Sequence, residues 1–170
     1  TNAKTFERFS RKYLTFLGEP FEAFARLAHL IKAWQTLAIV VWYCTYPWFV
    51  STSVLEKIDA FSGLVQSMSL FQVILGIELV LLGQLFNGGV YSAIGEDGVY
   101  YGCRLGRSIP WVYDFPFNTV PHPQYLGATI SIWGGYVLFA TEQQVENGLF
   151  GITLVMTGFY MFSSYVEEHL

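Results

Sequence analysis

The sequence has 170 residues, the length of one domain, of which 53% are hydrophobic, 18% aromatic and only 13% charged. Soluble domains carry about 25% charged residues, and one core of this size cannot hide so much apolar surface, so the expected solvent is a lipid bilayer. The net charge of -4 comes without the clustered basic footprint that a nucleic-acid binder needs.

Residues 1–27 read as a basic, aromatic-rich arm. Lys4, Arg8, Arg11 and Lys12 alternate with Phe6, Phe9, Tyr13 and Phe16, and the aromatic positions recur every three or four residues, which is one face of a helix. Such an amphipathic helix lies in the headgroup layer or packs on a partner. Residues 28–50 are the first expected span, long enough at ~1.5 Å per residue to cross ~30 Å of hydrocarbon. Lys32, one turn inside, snorkels back to the interface, and Trp42, Tyr43, Tyr46 and Trp48 form an aromatic belt at the far end.

A polar connection is expected over residues 51–63 and a second span over 64–86, containing Gly76, Glu78 and Gly83. Glu78 lies near mid-membrane, where a carboxylate is costly and faces the bundle interior. It is expected either to pair with Lys32 or to line a substrate path. A glycine-punctuated exit runs to Gly98. Residues 99–121 alternate aromatics with Arg104, Arg107 and Asp114 and contain Pro110, Pro116 and Pro121, which excludes a spanning helix and predicts an interfacial loop. Residues 124–140 form a short third span in which Gly127, Gly134 and Gly135 let another backbone approach closely. Residues 141–147 turn the chain, and 148–166 form the fourth span. Cys44 and Cys103 are read as small space-fillers, since neither disulfide nor metal-ligand spacing is present.

The expected fold is therefore all-α: a single polytopic membrane domain over 1–170, with about four transmembrane helices, an N-terminal amphipathic helix and an interfacial loop. Charge tests this topology. Alternating crossings put Lys4, Arg8, Arg11, Lys12, Arg26, Arg104 and Arg107 on one side, while the opposite loops carry only Lys57. That imbalance makes the first side cytosolic or its topological equivalent.

Four polar features then meet on the basic face: the end of the second span with Gly83, Gln84 and Asn87, the arginine-bearing loop, the His122–Gly127 junction, and Glu167-Glu168. Adjacent glutamates on a helix point about 100° apart, so one can receive hydroxyls or an ammonium while the other meets water or an arginine. Arg104 and Arg107, beside Tyr100, Tyr101 and Trp111, suit a lipid phosphate or simple attraction to an anionic surface. Asn118, His122 and Tyr125 are the candidates for proton handling, with a structural role at the loop–helix junction as the alternative for His122. His29 and His169 read as structural.

The segment GEDGVYYGCRLGRSIPWVYDFPFNTVPHPQYLG, residues 95–127, together with the terminal Glu-Glu, resembles the phospholipid methyltransferase family. FPFN and P-x-Y-x-G are fairly specific together, and the likeness runs from about Thr1 to Glu168. The resemblance implies transfer of a methyl group from S-adenosylmethionine to the amine of a phosphatidylethanolamine derivative, toward phosphatidylcholine. It implies cofactor binding by Glu167 and Glu168, by the glycine-containing segment that falls on Leu81, Leu82 and Gly83, and by Gly95, Gly98, Pro123, Tyr125 and Gly127. Leu81 stands where the family often has a small residue. Tyr100, Tyr101, Trp111 and Tyr113 are placed to stabilise a methylated ammonium by cation–π contact.

Family members commonly carry another apolar segment before the equivalent of Thr1; the motif residues lie downstream of it, so an intact site is one expectation, and processing or a partner that fills its place are the others. The implied partners are membrane phospholipids, with a homo-oligomer or the subunits of a membrane complex beside them. The membrane is that of the endoplasmic reticulum or the mitochondrion. Two other readings remain: an isoprenylcysteine carboxyl methyltransferase, and a catalytically silent homologue serving a larger membrane complex.

Overall fold

The computed structural model describes residues 2–50 and 53–169, without the side chains of residues 2, 43–50, 57, 60, 61 and 64. The expected belt residues Tyr43, Tyr46 and Trp48, the packing of Cys44 and the side chain of Lys57 lie outside the described residues. Apart from connections, the longest of them over residues 106–122, the described residues are helical: α1 (Asn2–Tyr13), α2 (Pro20–Val50), α3 (Val54–Gln66), α4 (Leu70–Val99), α5 (Pro123–Phe139), α6 (Glu142–Glu146) and α7 (Leu149–His169), with 3-10 turns at Thr15–Leu17 and Gly102–Leu105.

Several boundaries differ from the sequence expectation, each for a local reason. The arm is not one helix to residue 27. Gly18 takes a φ of 93° that breaks it, and Pro20 starts α2 at the first helical position, where an N–H would have no partner in the helix. The polar connection over 51–63 is largely helix. Ser53 Oγ accepts from Glu56 N–H at 3.2 Å while the Glu56 carboxylate accepts from Ser53 N–H at 3.3 Å. That reciprocal cap outweighs the polarity of the segment. The second span does not stop at residue 86: α4 continues to Val99, with its two helical segments meeting at Gly95 (φ 65°).

Three helices among the described residues are long and apolar enough to cross a membrane, at Pro20–Trp42, Leu70–Leu105 and Leu149–His169. The expected third span, α5, has 17 residues, about 25 Å of helix, and packs between α4 and α7. Large apolar side chains point outward on the long helices. Leu30, Ile31 and Trp34 on α2 are 59%, 61% and 72% exposed, a surface that only lipid or a partner helix can solvate.

The α4–α5 pairing is antiparallel and close. A Cβ at Gly134 would stand 2.7 Å from the Val80 backbone nitrogen, one at Gly127 2.7 Å from the Gly83 carbonyl oxygen, and one at Gly76 2.8 Å from the Leu138 Cα. Backbone therefore meets backbone along the whole crossing, the mode of association open to helices in lipid. Polar side chains tie its two ends. Gln72 Nε2 donates to the Ala140 carbonyl at 2.6 Å, satisfying an end of α5 that would otherwise be orphaned, and Gln84 Nε2 donates to Ser131 Oγ at 3.0 Å. Gly135, expected to share this role, faces open space. α7 returns antiparallel to α5, with Phe150 against Trp133 and Tyr136 and Tyr160 against Tyr125.

The buried core sits at one end, where Phe21 and Ala25 of α2 meet Val90, Val99 and Tyr100. α1 closes this end with Phe6 packed edge-on against Phe24 at 5.5 Å, while Phe9, Tyr13 and Phe16 remain exposed. The apolar face of the arm is thus divided between the protein and its surroundings. Glu78 and Lys32 do not pair. Glu78 is exposed on the outer face of α4, and Lys32 Nζ stands 5.3 Å from the centre of the Tyr100 ring. The inward face of α4 is committed to glycine contacts, which leaves Glu78 no inward position.

Gly134→Leu is expected to separate α4 from α5 and cost about 1–3 kcal/mol, because the obstructing atom is backbone and cannot rotate away. Gly135→Ala should leave the thermal unfolding midpoint in detergent unchanged or slightly raised. Equal midpoints for the two variants would contradict this packing.

Candidate functional site

The antiparallel order of α4, α5 and α7 carries the start of α5 and the end of α7 to the same end of the bundle. There His122 lies between the two terminal glutamates. Its Nε2 donates to Glu168 Oε1 at 2.9 Å, and its Nδ1 stands 3.7 Å from Glu167 Oε2. The second distance is too long for a hydrogen bond. In the tautomer that donates from Nε2, Nδ1 keeps its lone pair and is free to accept a proton. The two glutamates diverge on the helix as expected, yet the imidazole reaches both.

His122 occupies the left-handed region (φ 51°) just before Pro123 begins α5. Tyr101 is the other non-glycine residue described with positive φ, at 57°, and its hydroxyl lies 2.6 Å from that of Tyr125. Left-handed backbone at non-glycine positions costs free energy and persists where the surroundings over-determine it, commonly at functional sites. Here both such residues border one cavity of about 250 Å³, whose walls also include Val90, Ile94, Gly98, Tyr125 and Glu167. Carboxylate, imidazole and phenol groups at one edge and aliphatic side chains at the other can hold a ligand with a polar, hydroxylated or cationic part joined to a flat apolar part.

The sequence candidates divide accordingly. His122, Pro123, Tyr125, Gly98 and Glu167 line this cavity, and Glu168 joins through His122. Gly95 supplies the bend of α4 above it. Gly127 lies one turn further along α5 and is filled by the Gly83 carbonyl and the Phe86 side chain. Gly83 is likewise occupied by Gly127 and Ser131, while Leu81 and Leu82 are 63% and 43% exposed on the outer face of α4. The structure does not bring Leu81, Leu82 or Gly83 to the cavity. Asn118 is exposed, and its side-chain oxygen accepts from Thr119 Oγ1 at 3.0 Å. Phe117, its neighbour, lines the cavity instead.

The FPFN segment packs on α4 through Phe115 and Pro116. Phe115 lies 5.7 Å from the Phe86 ring, Pro116 is fully buried, and a Cβ at Gly89 would stand 2.6 Å from the Phe115 ring. This closes the loop onto α4 and so aims His122. The two arginines also separate. Arg107 places its guanidinium 5.1 Å from the centre of the Phe21 ring. Arg104 faces a second cavity of about 420 Å³ beside α1 and the end of α7. Of the proposed aromatic group, Tyr100 carries Lys32 over its ring and bonds to Tyr91 and His29 at 2.8 and 3.0 Å. Trp111 and Tyr113 pair with each other, 83% and 78% exposed. Tyr101 is the one of these four aromatics that borders both cavities. Val90 and Ile94 carried no sequence signal beyond apolarity, and α1 as a cavity wall was visible only as amphipathic spacing.

Comparison with known proteins gives this geometry a lineage. The sequence pattern of the phospholipid methyltransferase family matches residues 71–170, more than half of the chain and every element of the His122 cluster. The chain is also 34% identical over 114 residues to the phosphatidyl-N-methylethanolamine N-methyltransferase of Arabidopsis thaliana, a stretch covering 67% of this chain and 56% of that protein. It thus spans a little over half the length of that curated relative. No solved structure matches. With the family pattern running from the start of α4 to the end of α7, the chain belongs to the phospholipid methyltransferase family.

Proposed function

We propose that this chain transfers a methyl group from S-adenosylmethionine to the amine of a phosphatidylethanolamine derivative at the membrane surface. The observation that carries the reading is the single imidazole held between two helix-terminal carboxylates inside the family-matched segment. What S-adenosylmethionine supplies when bound is a methyl carbon on sulfur, so that a nitrogen–carbon bond forms as the carbon–sulfur bond breaks and its electron pair stays on sulfur.

The residues fit that group. Glu167 and Glu168 are acceptors for ribose hydroxyls or an ammonium, and Ile94, backed by the buried Val90, offers apolar surface for the adenine ring. Gly98 makes room in that wall for the Ile94 side chain. His122 contributes a proton-accepting Nδ1 whose orientation is fixed by the Nε2–H bond to Glu168. An attacking amine must be neutral, so a base at this position serves the reaction. Alignment of the reactants supplies most of the remaining acceleration, since little covalent help is required. Tyr101 and Tyr125, linked through their hydroxyls, hold the cavity wall against α5. Asn118 is left with no part in proton transfer under this reading, and Tyr125 has a positioning part. The proposed acceptor is a monomethyl or dimethyl lipid, of which the name of the Arabidopsis relative carries the monomethyl one.

The purified chain in vesicles containing phosphatidyl-N-monomethylethanolamine is expected to move label from S-adenosylmethionine into the lipid. Label in a prenylated cysteine ester and none in lipid would favour the isoprenylcysteine reading. Absence of bound cofactor and of turnover, with stoichiometric co-purification of other membrane subunits, would favour the accessory-subunit reading.

Glu168→Gln keeps the shape of the side chain but removes the charge. It should weaken binding of S-adenosylhomocysteine about tenfold, the effect of losing one charge-assisted hydrogen bond. His122→Asn tolerates the left-handed backbone and should lower turnover about 10²- to 10⁴-fold with a smaller change in that affinity. Unchanged turnover in His122→Asn would remove His122 from proton transfer.

A further inference from the structure

The larger cavity lies outside the His122 cluster, and part of its wall comes from residues before the family-matched segment. Ala3 and Phe6 of α1 and Phe24 of α2 form one side, Phe162 and Val166 of α7 the other. Its volume is about 420 Å³, and its polar lining includes Arg104 and Glu167. Glu167 and Tyr101 border this cavity and also the one beside His122. The two chambers therefore share a partition made of one carboxylate and one phenol.

From this we infer that the larger chamber is the acceptor site, holding the headgroup and upper chain carbons of a zwitterionic aminoalkyl phospholipid. The inference rests on the methyltransferase reading and adds where the acceptor sits. Charge complementarity selects the occupant. An amine and a phosphodiester a few bonds apart match a carboxylate and a guanidinium on one chamber, while aromatic and aliphatic walls match the glycerol and first methylenes. A soluble anion would find only one of its groups served. The orientation follows from the partition: phosphate at Arg104, amine toward Glu167 and Tyr101, and so toward the chamber beside His122.

The same geometry separates the arginines. Arg107, over the Phe21 ring and donating its backbone N–H to the Gly102 carbonyl at 2.8 Å, fastens the turn to α2. Arg104 meets the lipid. It also gives α1 a function beyond surface adhesion. The half of its apolar face that turns inward, Ala3 and Phe6, closes the acceptor chamber, and the exposed half, Phe9, Tyr13 and Phe16, keeps that chamber at headgroup depth.

The test uses the whole chain in nanodiscs with a photoactivatable phosphatidyl-N-monomethylethanolamine, its diazirine near the glycerol end of one acyl chain. Adducts mapped by mass spectrometry are expected to concentrate on the segments around Phe6 and Phe162. Ala3→Trp, which fills the chamber, and Arg104→Gln should each diminish those adducts. Each should also raise the KM for lipid about tenfold while affinity for S-adenosylhomocysteine stays the same.

Phe162→Trp fills the chamber from the opposite wall and stands in if Ala3→Trp fails to fold. Glycerophosphoethanolamine, which lacks acyl chains, should not compete at lipid-like concentrations; equal competition would overturn the lipid assignment. Adducts spread evenly over the outer faces of α2 and α4, or an unchanged KM in these variants, would overturn the acceptor site and leave the methyltransferase reading intact. Chamber adducts on a wild-type chain that transfers no methyl group would sink that reading and leave the lipid site standing.

Discussion

The contact on which the rest depends is the crossing of α4 and α5 without intervening side chains. Helices in lipid gain nothing from burying apolar surface against each other, since the lipid is as apolar as they are. What holds them is close approach, and close approach demands small residues at the right depth. Gly76, Gly83, Gly127 and Gly134 supply it, with Gln72 and Gln84 bonding across at either end. Once α5 is fixed on α4 in this register, the depth of His122 is fixed. α7, packed on α5 through Tyr160 and Phe150, then delivers its terminal carboxylates to that depth. Chemistry at one end of the bundle is set by backbone contacts in its middle.

Much of this was legible in the sequence because the bilayer imposes simple rules. Apolar runs gave α2, α4 and α7, and the excess of arginine and lysine put the arm, the arginine loop and Glu167-Glu168 on one face. The structure gathers those features at one end through α1 against α2, Arg107 against Phe21 and His122 against the glutamates. Glycine was legible as a residue type but not as a role. Gly127 and Gly134 are contacts and Gly135 is open, a distinction that depends on a rotation of about 100° per residue around α5. Gly83, where the resemblance implies a cofactor contact, stands against Gly127 and Ser131 of α5.

Polarity misled in two places. The 51–63 segment looked like a connection because its serines and charges suggested water, but Ser53 and Glu56 are a helix-starting device that uses those same polar groups. Glu78 looked like a partner for Lys32 because mid-membrane charges seek each other. The close α4–α5 crossing had already claimed the inward face of α4, and Lys32 settled over Tyr100 at the site end instead. A pairwise argument from sequence cannot see that a face is taken.

The proposed division of the site into a donor chamber and an acceptor chamber explains why an N-terminal arm outside the family-matched segment belongs with it. The α4–α7 unit presents the His122 cluster from one side only, and the opposite side of Glu167 opens beside the end of α7. Glu167 is 39% exposed as it stands; without the wall from α1 more of its field would be spent on solvent. With Phe6 and Phe24 closing it and Arg104 at its rim, the same carboxylate faces a chamber of matched charge. From the left-handed position just past α4, Tyr101 borders both chambers and places its hydroxyl 2.6 Å from that of Tyr125.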